Sequence, residues 1–132
     1  MLADYDTIDS VTQRPDGTWE VLGTAEAGDW KDPQAIDYLR QKIDSLSIYA
    51  IDGKMKKHHP GFTWPPVLIF ESVDPIPKDA RELLRSIRFQ LEADGLDVDL
   101  LWRKRVKGAA PPPRSAAVAL YEVHYRNGET IH

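Results

Sequence analysis

Two hydrophobic periods alternate along this chain, and the points where one gives way to the other mark its elements. The clearest stretch is 67–102. Val67–Val73 is an apolar run bounded by Pro65-Pro66 and Asp74-Pro75, with its first four residues all apolar, as in a strand buried on both faces. Ala80, Leu84, Ile87 and Leu91 then recur at helical spacing on a helix expected from Pro77 to Asp94. Asp94-Gly95 stops that helix, and Leu96–Trp102 opens another strand.

The same logic reads the N-terminal half. Thr7–Thr12 and Thr18–Thr24 predict two strands joined by Arg14-Pro15-Asp16-Gly17, in which proline presets φ and glycine accepts a positive one. Asp32-Pro33 begins a helix, since aspartate satisfies free N–H groups and proline loses nothing at the first helical position. Ile36, Leu39, Ile43, Leu46 and Ala50 form its apolar stripe, and Asp52-Gly53 ends it. Residues 54–66 read as a long loop. Past strand four, Pro111-Pro112-Pro113 predicts an extended linker over 107–115. Ala117, Ala119, Tyr121, Val123 and Tyr125 alternate in a final strand within 116–132.

The order β-β-α-β-α-β plus a C-terminal strand predicts an α+β fold. It is a two-layer sandwich with a mixed sheet and two helices on one face. Strands three and four, bridged by a helix, should run parallel. The expected units are a sandwich domain over 1–106, the linker, and a last strand that completes its own sheet or adds to that of a second copy.

Composition narrows the chemistry. The 132 residues contain no cysteine, which removes disulfides, thiolate metal sites and a cysteine nucleophile. No apolar run is long enough to span a bilayer. The acidic start Met1–Asp6 is not a signal peptide, so a cytoplasmic location is expected. The net charge of −4 argues against broad nucleic-acid affinity. It is unevenly spread: residues 1–53 carry 11 acidic and 4 basic side chains, and residues 54–132 carry 10 and 13.

No nucleophile elbow and no phosphate-binding glycine loop occurs, so no catalytic residue, metal ligand set or cofactor is assigned. Asp97 and Asp99 share a strand face but read as an exposed strand start. Two groups of residues are left as candidates. Tyr38 and Tyr49 lie about three turns apart, opposite the Ile36–Ile43 side of the first helix, and Phe89 lies opposite Leu84 and Leu91 on the second. Outward aromatics suit a partner surface. Arg81, Arg85 and Arg88 add a basic stripe for an acidic group, against the plainer reading of a solvated face. The other group is His58, His59 and Trp64 in the 54–66 loop, a candidate ligand or proton-transfer site. Its plainer reading is a solvated loop with Phe62 and Trp64 packed on the core.

Several of these features come in a familiar order: Asp6-Thr7-Ile8-Asp9, the hairpin, Asp29-Trp30, Leu39-Arg40-Gln41-Lys42-Ile43, Asp52-Gly53, Pro60 and Asp94-Gly95-Leu96. Over about residues 4–102 the chain resembles a family of small bacterial proteins known only as a domain of unknown function. The resemblance implies a compact bacterial α/β protein and supplies no catalytic residues. The expected function is a non-enzymatic protein-binding module, by analogy an immunity protein whose acidic half would suit a basic bacterial toxin. Self-association through the last strand is a further expectation. The alternative is a small ligand-binding or hydrolytic domain built on the His58/His59/Trp64 loop.

Overall fold

The computed structural model describes residues 1–105, and over these the α+β sandwich is present. Strands β1 (Ser10–Gln13), β2 (Trp19–Ala25), β3 (Val67–Ser72) and β4 (Asp99–Lys104) form one sheet in the order β1-β2-β3-β4. β1 and β2 are antiparallel, and β2-β3 and β3-β4 are parallel, so the sheet is mixed. Helix α1 (Ala35–Ile51) and the short α2 (Lys54–His58) connect β2 to β3, and α3 (Lys78–Ala93) connects β3 to β4. The linker expected at 107–115 and the strand expected within 116–132 lie outside the described residues.

Local chemistry accounts for the joints. In the hairpin turn, Gly17 has φ of +93° and donates its N–H to the Arg14 carbonyl at 2.9 Å. The Asp16 carboxylate accepts the Thr18 N–H. The Asp32 carboxylate takes the Gln34 N–H at 2.8 Å, but it closes a turn ahead of the first long helix and does not cap it as expected: regular helix starts at Ala35, two residues later than Pro33 suggested, behind Gln34, whose side chain makes no capping bond. Gly53, with φ of +84°, ends α1 and turns the chain into α2. The expected loop at 54–66 therefore opens with a helical turn. Local helix geometry won there because a left-handed glycine reverses the chain without costing a side-chain clash.

The core lies between the helices and one face of the sheet. Val11, Val21, Leu68, Phe70 and Leu100 meet Leu39, Ile43, Leu46, Ala50, Ala80, Leu84 and Leu91. The other face carries three rows that cross the strands: Thr24–Glu71–Arg103, then Ser10–Leu22–Ile69–Leu101, then Thr12–Glu20–Val67–Asp99. The top row and its neighbours hold an ion-pair cluster. Arg103 Nε and Arg105 Nε each donate to the buried Glu71 carboxylate, at 2.8 and 2.9 Å. In the lowest row, Arg14 stands 3.5 Å from Glu20.

The N-terminal residues are fastened by two buried charges. Lys42, fully buried on the flank of α1, places Nζ 2.9 Å from the Asp9 carboxylate, 2.7 Å from the Thr7 carbonyl and 3.1 Å from the Asp4 carbonyl. Gly23 leaves room for it: a Cβ there would stand 3.1 Å from both Lys42 Cε and Leu46 Cδ1. The Asp29 carboxylate accepts the N–H groups of Leu2 and Glu26.

Candidate functional site

A concavity among the described residues follows from the way Lys42 holds the entering chain. Residues 6–8 are drawn alongside the second half of α1, and Gly53 folds α2 back toward the same place. Between them lies a cleft of about 520 Å³, lined by Asp6, Thr7, Ile8, Ser45, Ile48, Tyr49, Lys54 and His58. That size falls within the range of small-molecule pockets. Tyr49 and His58 stack nearly parallel, with ring centroids 6.3 Å apart. Ile48 stands 57% exposed at the rim, and Ile51 is exposed one turn further on. Asp6 and Lys54 give the lining one charge of each sign.

Tyr49 was expected on an outward face and is buried. The reason is geometric. The buried arc of α1 includes Ala35, Lys42 and Tyr49 as well as the predicted stripe, so its centre is rotated away from Ile36 toward the tyrosines. Tyr38 and Tyr49 therefore lie on a flank. The N-terminal segment covers Tyr38, with Tyr5 stacked on it at 6.0 Å and its hydroxyl donating to Gln34. Burial pushes the Tyr49 hydroxyl well above the ordinary tyrosine range.

The two adjacent histidines diverge. His58 lines the cleft, whereas His59 is buried against Trp19, with ring centroids 5.2 Å apart. Burial, and then the neighbouring charge of His58, lower the pKa of His59 from its usual value. Phe62 packs edge-on against Trp19 and is buried, as the plainer reading of the loop has it, whereas Trp64, which that reading also places on the core, meets Phe62 edge-on and is exposed. The predicted trio of His58, His59 and Trp64 is thus not one site. The structure joins His58 of that group to Tyr49 of the other.

On α3, Phe89 is 71% exposed, opposite Ala80, Leu84 and Leu91 as the periodicity predicts. Arg81 and Arg85 are exposed as well. Arg88 is not part of a free stripe: its guanidinium sits 4.5 Å above the Trp102 ring. That contact holds the side chain through cation–π attraction. Asp97 and Asp99 are exposed at the start of β4, as expected for a solvated strand start.

Sequence reasoning missed Thr7, Ile8, Ser45 and Ile48 as cleft residues, and Lys42 as the group that shapes it. A lysine on the buried flank of an amphipathic helix was the available signal. Among the described residues, no group of three histidine, aspartate or glutamate side chains is placed to hold a metal ion. Nor is any helix among them long and apolar enough to cross a membrane. No family model, curated protein or solved structure matches this chain.

Proposed function

We propose that this protein is a binding module that receives an apolar side chain of a partner protein in the cleft between α1, α2 and residues 6–8. The observation that carries the reading is the exposed Ile48 at the rim of a cleft lined by the stacked Tyr49 and His58. An aliphatic side chain kept in water beside a ready-made concavity is the arrangement found at anchor points of protein interfaces. Thr7, Ser45, Asp6 and Lys54 can hydrogen-bond the partner's backbone or fix its orientation by charge.

A basic toxin is one partner class that fits. Asp37, Asp44 and Ile48 fall on one outward stripe of α1, so exposed carboxylates run along the helix toward the rim. Such charges speed encounter with a basic surface more than they add affinity. The reading extends the protein-binding expectation, keeps Tyr49 as a lining residue, and moves the centre from Tyr38 and Phe89 to the cleft.

The test is co-purification from cells that encode the protein, comparing wild type with Ile48→Asp and Phe89→Asp. Loss of the captured partner with Ile48→Asp, and its retention with Phe89→Asp, is the expected result. Equal capture by wild type and Ile48→Asp overturns the assignment. Capture lost only with Phe89→Asp moves the interface to α3.

A further inference from the structure

The face of the sheet away from the helices poses a separate problem. Its middle row, Ser10–Leu22–Ile69–Leu101, crosses all four strands, and Val67 packs beside it. Leu22 and Ile69 are only 5% and 2% exposed. Yet the described apolar residues packed on them, Val67 and Leu101, belong to that same face. Both long helices contribute to the other core. An apolar row bordered by Glu20 on one side and by Glu71 and Arg103 on the other needs an apolar cover, because a sheet face this hydrophobic is rarely left to water.

From this we infer that the cover is the chain's own segment 106–132, docked across the helix-free face with its alternating apolar residues on the Leu22–Ile69–Leu101 row. The point of departure favours it. The described chain ends at Arg105, which stays attached to this sheet: its N–H donates to the Ser72 carbonyl at 2.6 Å and its side chain bonds Glu71. Crossing four strands takes roughly 14 Å at the usual strand spacing. The nine residues 107–115 alone reach about 28 Å if extended in the polyproline manner. Ala117, Ala119, Tyr121, Val123 and Tyr125 then offer an apolar side chain at every second position. On one face of an extended chain these recur about every 7 Å, so two or three match the length of the row. The segment is also nearly neutral, carrying Lys107, Arg114 and Arg126 against Glu122 and Glu129. It therefore brings little unpaired charge onto a face whose own carboxylates stand beside arginines.

The absence of cysteine makes the inference directly testable in the full chain. Leu101→Cys/Ala119→Cys and Val67→Cys/Ala119→Cys place one thiol on the face and one in the segment. Phe89→Cys/Ala119→Cys is the control, on the opposite layer. Each is treated at micromolar concentration with a short bis-maleimide and read by intact mass. A circular-dichroism melt confirms that each variant folds, and having two face positions guards against the failure of one. A segment docked in its own chain presents the second thiol at an effective concentration of order millimolar. Intrachain cross-linking of the two face pairs should therefore outrun both dimer formation and the control pair by about a hundredfold. Covalent dimers as the main product would overturn the inference in favour of a second copy's segment. Equal rates for face and control pairs, or no cross-link in folded variants, would overturn it outright.

Discussion

Glu20 offers the sharpest test of how the helix-free face is built. The residue is 5% exposed and its carboxyl pKa is pushed up to about 7 from an ordinary value of 4.5, chiefly by burial, against a partial lowering by Arg14 and Arg103. A carboxyl whose pKa is raised on folding holds its proton more tightly in the native state. Its stabilising contribution is complete below 4.5 and is lost as pH rises through 7. At about 1.4 kcal/mol per unit, the displacement sets an upper limit of about 3 kcal/mol. Local relaxation and water penetration around a buried carboxylate reduce the expected effect to about 1–2 kcal/mol. Glu20→Gln keeps the shape and removes the titration. Urea unfolding of both proteins from pH 5 to pH 8 should show near-equal stability at pH 5. The variant should then gain progressively, reaching about 1–2 kcal/mol by pH 8. Other groups titrating in this window, His59 among them, are common to both proteins and cancel in the difference. A difference that stays flat across the range would refute the reasoning, because it would mean that Glu20 titrates alike in the folded and unfolded chains.

Three further outcomes can be checked by the same unfolding measurement or by exchange. Lys42→Met removes one partner of a buried pair and should cost about 3–5 kcal/mol, with faster amide exchange in residues 4–9; unchanged exchange there would show that the lysine does not hold the segment. Asp29→Ala strands the Leu2 and Glu26 N–H groups and should cost about 1–3 kcal/mol; a loss within error would show that water replaces the carboxylate. Because His59 is buried in its neutral form, its contribution is present above its usual pKa and is lost as pH falls below about 6.5. His59→Phe should therefore flatten the acid side of the stability profile, and an unaltered profile would exclude His59 as its source.

The fold was largely legible because its signals are local. Pro65-Pro66, Asp74-Pro75 and Asp94-Gly95 bracket β3 and α3, and the 3.6-residue period of Ala80, Leu84, Ile87 and Leu91 leaves no competing element. The parallel pairing of β3 with β4 then follows from the helix between them. What periodicity could not supply was the angular centre of the buried arc on α1. The stripe of Ile36, Leu39, Ile43, Leu46 and Ala50 is correct as a set. Its centre, however, is fixed by a non-local partner, the segment 1–9, which covers the Tyr38 and Lys42 flank. Apolar periodicity counts a lysine as outward, so the one residue that reveals the packing pointed away from it.

The site was less legible for a related reason. His58 and His59 are neighbours in sequence, and on a helix end successive residues are about 100° apart. One therefore enters the cleft while the other enters the core, and no motif built on their adjacency survives the fold. The residues that do meet come from three separated stretches, 6–8, 45–49 and 54–58, none of which carries a recognisable pattern alone. Their convergence depends on two features with other apparent purposes. Gly53 reads as a helix stop but also aims α2 back at α1, and Lys42 reads as a surface charge but anchors residues 4–9. Disrupting Lys42 should therefore deform the cleft as well as the stability, so that a partner captured through Ile48 is lost even under conditions where Lys42→Met remains folded. Retention of that partner by a folded Lys42→Met protein would separate the cleft from the clamp and place the binding surface on the rim alone.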